Sequence, residues 1–131
     1  MEMEIRFPGG KEVDVRYGDF TIKTDQPINE GGKNTAPSPF SLFLASIGTC
    51  IGYYVLSFCQ MRNFPTDDIK LMATIERNHK THMVENITID IQVPKNFPDQ
   101  YKKAVIRAAD ACTVKRHLEK PPKTTIAVTT H

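Results

Sequence analysis

The chain lacks an excess of charge of either sign. Its 17 basic residues stand against 15 acidic ones, a formal +2. There is no strongly basic field to condense on nucleic acid, and no acidic tail. Cysteine is scarce, with three residues at irregular spacing. An odd and irregular count argues against the disulfide framework of a small secreted domain. It points to a reducing compartment, the cytoplasm. The opening MEMEIRF has acidic residues and no apolar run, so it does not read as a secretory signal. No internal repeat or low-complexity tract is present. The GxGxxG, Walker A, GxSxG and HExxH patterns are all missing. A length of 131 residues favours one domain, residues 1–131, large enough to bury a core without a metal or disulfide staple.

Charge is also missing locally. From Asn34 to Met61 there is no Asp, Glu, Lys, Arg or His. The mostly apolar run at 40–59 is long enough to cross a bilayer at about 1.5 Å per residue. Ser41, Ser46, Gly48, Thr49, Gly52 and Ser57 interrupt it, and Lys33 and Arg62 flank it without an orientation bias. The expectation is a buried core helix and no membrane association. A chain this short hardly wraps such a helix, which implies that a partner subunit covers part of it.

Hydropathy patterning supplies the remaining elements. Residues 1–7, 12–17 and 20–24 read as three strands, separated by Pro8-Gly9-Gly10 and Gly18-Asp19. A loop of about fourteen residues follows, rich in Gly, Pro and Asn, and longer than most ordered connections. Ser38 is a candidate N-cap and Pro39 suits the first helical position. The long helix should run to about Arg62, where Asn63-Phe64-Pro65 stops it. Two strands then alternate, one through Ile69, Leu71, Ala73 and Ile75 and the other through Ile87, Ile89, Ile91 and Val93. A second helix carries the stripe Tyr101, Ala104, Val105, Ala108, Ala109, Cys112, and Pro121-Pro122 bars it beyond about Lys120. Residues 126–129 read as a last strand. The order βββ-α-ββ-α-β is an α+β domain.

The cysteines are the main candidates for chemistry. Cys50 lies midway along the long helix between Gly48 and Gly52, and Cys112 lies on the apolar stripe of the second helix. Cys59 is nine residues past Cys50, a rotation of about 900° and a rise of about 13.5 Å. The two cannot form a disulfide while the helix is intact. Cys50 with Cys112 is the best candidate for any intrachain pair. All three thiols also suit plain core packing. A reactive thiolate at Cys50 needs help, because burial raises a thiol pKa and the helix start is about three turns away. Lys115, Arg116, Lys11 and Arg16 are the cations to consider. His79 and His82 form an isolated H-x-x-H, and Cys112 with His117 lacks a fourth ligand, so no metal site is expected.

The segment GGKNTAPSPFSLFLASIGTC resembles the stretch leading to the first cysteine of OsmC/Ohr proteins, the organic-hydroperoxide reductases and their relatives. The segment AADACTVKRHL resembles the second-cysteine motif of the same family, with Thr113 where Pro is usual. At the start of the long helix Phe40 and Ser41 stand where characterised members carry a Glu that holds the catalytic Arg. The resemblance implies an intertwined homodimer with the long helices at its centre and two sites at the subunit interface. It implies a peroxidatic Cys50, a resolving Cys112 and an assisting cation from the N-terminal sheet, Lys11 or Arg16. Phe40, Phe43, Ile47, Tyr53 and Tyr54 would form an apolar wall suited to an organic hydroperoxide. A dithiol reductant, lipoyl-type in some members, would reset the disulfide, and no cofactor is implied. The expected role is oxidative stress defence in the cytoplasm. Two alternatives stand beside it, a non-catalytic dimer that binds a small apolar ligand and a thiol redox sensor.

Overall fold

Two glycine turns fold the first three strands into an antiparallel meander. The computed structural model describes all 131 residues. Strand β1 spans Glu4–Gly9, β2 Glu12–Tyr17 and β3 Phe20–Thr24, in the order β1-β2-β3. Gly10 and Gly18 sit at φ 56° and 53°, the left-handed region that a tight hairpin turn requires and that glycine enters without strain. Val15 pairs with Ile5 on one side and Ile22 on the other. The register shifts between Arg6 and Gly9, around Pro8. Proline has no N–H to give a ladder, which suits its place on an edge strand. The first strand begins at Glu4 rather than at the N-terminus.

The loop after β3 is organised by one carboxylate. Asp25 is 1% exposed. Its Oδ1 accepts from the Gln26 amide at 2.7 Å, and its Oδ2 accepts from the Lys33 and Thr35 amides at 3.2 and 3.1 Å and from the Thr35 hydroxyl at 2.7 Å. These bonds draw residues 26–35 around a single side chain. Gly32 completes the closure, because a Cβ there would lie 2.0 Å from the Gln26 carbonyl oxygen. The loop also contains a one-turn 3-10 helix, Ile28–Glu30.

Helix α1 spans Pro39–Met61, 23 residues. Its start is as expected: the Ser38 hydroxyl accepts from the Ser41 amide at 3.2 Å, and Pro39 takes the first helical position. It ends where Asn63 turns left-handed at φ 55° and the Phe64 amide donates back to the Cys59 carbonyl at 2.9 Å. By length and composition α1 could cross a membrane. Its actual environment is one-sided. Ile47, Ile51, Val55, Phe58 and Cys59 are buried, while Tyr53 and Leu56 on the other side are exposed.

The chain divides into two compact units, Met1–Ser46 and Ile47–His131. The second unit packs the buried face of α1 with Phe97, Val105, Ala109 and Cys112. Strands β4 (Lys70–Arg77) and β5 (Val84–Gln92) form an antiparallel pair whose Leu71, Ile87, Ile89 and Ile91 lean on that core. Phe58, Phe64 and Tyr101 meet edge to face near the end of α1, the Phe64 and Tyr101 centroids lying 5.3 Å apart. The Arg62 guanidinium covers the Phe58 ring at 3.7 Å.

Two expectations need correction. The second helix is not continuous. A 3-10 turn, Asp99–Tyr101, leads into α2, Lys102–Asp110; the chain then breaks at Ala111-Cys112 and resumes as α3, Thr113–Glu119. The last strand expected at 126–129 does not form within this chain. Residues 121–131 have no regular structure, and Ile126 and Val128 are 91% and 95% exposed. A strand needs an edge to pair with, and β-branched composition alone supplies none.

The Asp25 network makes stability pH-dependent. The Thr35 hydroxyl, with the amides of Thr35 and Gln26, outweighs burial and, joined by the Lys33 amide, lowers the carboxyl to about 2. A carboxyl depressed in the folded state stabilises fully above its unfolded value of about 3.9, and that contribution fades as pH falls through about 2. Asp25→Asn should therefore melt several degrees below wild type at pH 7, with the gap closing towards pH 2. Thermal melts across that range give the comparison, and a constant gap would contradict it.

Candidate functional site

Cys50 sits half-buried on the third turn of α1. What faces it is set by the break between α2 and α3. Helix α2 closes with the amides of Ala111 and Cys112 donating to the Ala108 and Ala109 carbonyls, both at 3.2 Å. Cys112 then adopts an extended conformation, φ −54° and ψ 128°, and becomes the N-cap of α3. Its sulfur accepts from the Lys115 amide at 3.4 Å. The first amides of α3, from Thr113 and Val114, have no carbonyl within their own helix to bond. Both act on Cys50 and favour its thiolate.

The two thiols influence each other's ionisation, and their environments pull apart. Burial pushes Cys50 up, but the Val114 amide, the Cys112 thiol and the Thr113 amide together hold it below the ordinary thiol range. At Cys112 burial dominates. The Lys115 amide opposes it, while the bond to Cys50 and the negative charge of a Cys50 thiolate keep the proton in place, so Cys112 stays above the ordinary range. The arrangement favours thiolate on Cys50 and thiol on Cys112. Cys59 is fully buried and is pushed up by burial, with Arg62 opposing. The Lys115 ammonium pairs with Asp110 beside Cys112.

The other expected residues are distributed as follows. The Tyr54 hydroxyl lies 3.0 Å from the Thr113 hydroxyl. Tyr53 stacks edge-on against Tyr54, centroids 5.4 Å apart, and is largely exposed. Ile47 is buried and lines a groove of about 840 Å³ between α1, β5, α2 and α3. That groove is aliphatic, with Ile51, Ile89, Val105 and Leu118 among its walls, and neither Cys50 nor Cys112 lines it. Phe40 and Phe43 hold their rings 5.5 Å apart near the start of α1. Lys11 lies in the β1–β2 turn, its Cε 3.5 Å from where a Cβ on Gly31 would be. Arg16 is on β2 opposite Glu4, whose carboxylate is already paired with Arg6. The structure thus brings together Cys50, Cys112 and Tyr54 in the second unit, whereas Lys11, Arg16, Phe40 and Phe43 belong to the first.

The family model described as OsmC-like protein matches residues 32–127. The chain belongs to the OsmC-like family. Solved structures agree on the fold. An osmotic stress induced and detoxification response protein from Psychrobacter arcticus superimposes with a TM-score of 0.73 at 19% identity, covering 87% of this chain and 85% of that one. A hypothetical protein from Aquifex aeolicus gives 0.64 at 21% identity, with coverage of 92% and 87%. An organic hydroperoxide resistance protein OsmC from Legionella pneumophila gives 0.56 at 14%, with coverage of 90% and 89%. No curated protein matches the chain. The OsmC-like architecture expected from the two cysteine segments is therefore present. At these identities the structural likeness speaks for the fold alone.

Sequence reasoning missed the donors at Cys50. It looked for a cation, while the structure supplies backbone amides. It missed them because the 3.6-residue stripe continues through Cys112, and no Gly or Pro marks the break at 111–112. The expected thiol order is testable by alkylating the reduced protein across pH 6–10 and resolving each cysteine by peptide mass spectrometry. Cys50 should label first and with the lowest apparent pKa, Cys112 later, and Cys59 last. Equal rates at Cys50 and Cys112 would contradict the arrangement.

Proposed function

We propose that this OsmC-like chain is a thiol peroxidase of the cytoplasm that reduces organic hydroperoxides. The observation carrying this reading is the Cys50–Cys112 pair, two sulfurs that influence each other and whose surroundings favour opposite protonation states. Family membership and the Legionella hydroperoxide resistance protein among its structural likenesses support a peroxide-related or osmotic-stress-related redox role.

The chemistry balances as follows. The Cys50 thiolate attacks the terminal oxygen of R–O–OH. An S–O bond forms, the O–O bond breaks, and the alkoxide leaves and takes a proton to become ROH. Sulfur is oxidised to sulfenic acid as the peroxide is reduced. The Cys112 thiol, made nucleophilic by losing its proton, displaces hydroxide from that sulfur, and water and a disulfide result. A dithiol reductant, lipoyl-type by resemblance, returns both thiols and leaves as its own disulfide. In this reading Lys11 or Arg16 assists the thiolate, and Phe40, Phe43, Ile47, Tyr53 and Tyr54 contact the organic group.

A second copy completes the reading. Gly48 and Gly52 lie one turn apart on α1, and in the lone chain nothing lies within 4 Å of a Cβ built at either glycine. A homodimer packed on that side explains why two glycines persist inside a helix, at about 1 kcal/mol of propensity each. Gly48→Ala and Gly52→Ala should then weaken the dimer in sedimentation equilibrium. Variants that stay monomeric and melt higher, alongside a monomeric wild type, would remove the dimer from the proposal.

The aliphatic groove supports a second reading, a non-catalytic protein that binds a small apolar ligand. One experiment separates the two. The reduced protein is treated for seconds with one equivalent of cumene hydroperoxide, free thiols are blocked, and disulfides are mapped. A stoichiometric Cys50–Cys112 bond is expected. Cys50→Ser should abolish peroxide consumption, Cys112→Ser should permit one turnover and leave Cys50 to overoxidise, and Cys59→Ser should change little. Full reduction of both cysteines after treatment would overturn the peroxidase reading and leave the ligand-binding one.

A further inference from the structure

The hydrogen bond between Tyr54 and Thr113 joins the two cysteine-bearing segments one residue from the reacting pair. Tyr54 is four residues after Cys50, one turn along the same side of α1. Thr113 directly follows Cys112 and opens α3. Their hydroxyls are 3.0 Å apart. Thr113 is therefore attached to α1 through its hydroxyl, at Tyr54. Helix α3 has only seven residues, too few to hold a direction unaided. Within its first turn the Thr113 carbonyl is met by His117 Nδ1 at 2.7 Å, and the Cys112 sulfur receives the Lys115 amide. Those contacts stiffen α3 internally but do not tie it to α1.

We propose that Tyr54 and Thr113 are positioning residues for Cys50: their hydrogen bond holds the start of α3, and with it Cys112, against the turn of α1 that follows Cys50. The inference deepens the peroxidase reading and gives Tyr54 a role distinct from contact with substrate. Core packing of Cys112 and Val114 holds α3 near α1, and the tie fixes how its first turn faces Cys50. Cys112 is the other titrating group at Cys50, and Lys115, paired with Asp110, lies beside Cys112.

The test uses the full chain in its reduced form and reads Cys50 by peptide-resolved iodoacetamide alkylation against pH. Tyr54→Phe and Thr113→Val should each move the Cys50 profile to higher pH. Each should slow alkylation at neutral pH roughly threefold to tenfold, the scale of one hydrogen bond. The double variant should be no slower than the slower single one, because both remove the same bond. Thr113→Ser keeps the hydroxyl and should retain the wild-type profile. Thermal melts identify any variant that fails to fold, and the remaining variant of the pair then carries the comparison with wild type. Profiles that superimpose on wild type, or shifts that add in the double variant, would overturn the clamp. Because alkylation needs no peroxide, these outcomes are independent of the disulfide mapping. A wild type that leaves its thiols reduced under cumene hydroperoxide defeats the peroxidase reading whatever the profiles show.

Discussion

A sulfur midway along an apolar helix can hold negative charge only where donors replace the water it has lost. That constraint explains the most irregular part of this chain. Helix α2 stops at Asp110, and α3 restarts three residues later in a new direction. The restart leaves unbonded amides at the head of a helix, which is where backbone donors are free to serve another group. Cys112 stands at the same point because it must be close to Cys50 and must also cap the new helix. A continuous helix would have offered a side chain at position 112 but spent its amides on its own carbonyls.

The same economy appears in the first unit. Asp25 is a single buried carboxylate, yet three amides and a hydroxyl converge on it. It shapes the connection between β3 and α1, which in most chains of this length would be shorter or looser. Gly32 belongs to that network through the space it leaves for the Gln26 carbonyl rather than through any special torsion. In both places backbone amides favour negative charge on one side chain. In one case the acceptor is permanently charged, and in the other it is a sulfur that can become so.

Much of the fold was legible in the sequence because it rests on period. The alternation in β2 to β5, the Ser38-Pro39 start and the Asn63 stop of α1 all follow local rules that the structure obeys. The α+β order also held through the second helical region. The features that escaped are those with no local signature. The stripe from Tyr101 to Cys112 has the right spacing on both sides of the break, so periodicity ran through it. The β-branched run at 126–129 has strand composition, but it pairs with none of the sheet edges in this chain. At the candidate site, Cys50 and Cys112 were visible as cysteines on apolar faces. Thr113 was visible only as a departure from a motif, because the role of an amide depends on where the chain turns and not on its side chain. Asp25 carries no local signal for the same reason.

The two sulfurs differ in mechanical setting as well as in charge. Cys50 is embedded in a helix of 23 residues, with hydrogen-bonded turns above and below it. Cys112 stands at a joint between a nine-residue helix and a seven-residue one. The first is a fixed post and the second a hinged arm. Any displacement that brings the two sulfurs to bonding distance therefore falls almost wholly on the arm. Its compliance lies in the torsions of Ala111 and Cys112.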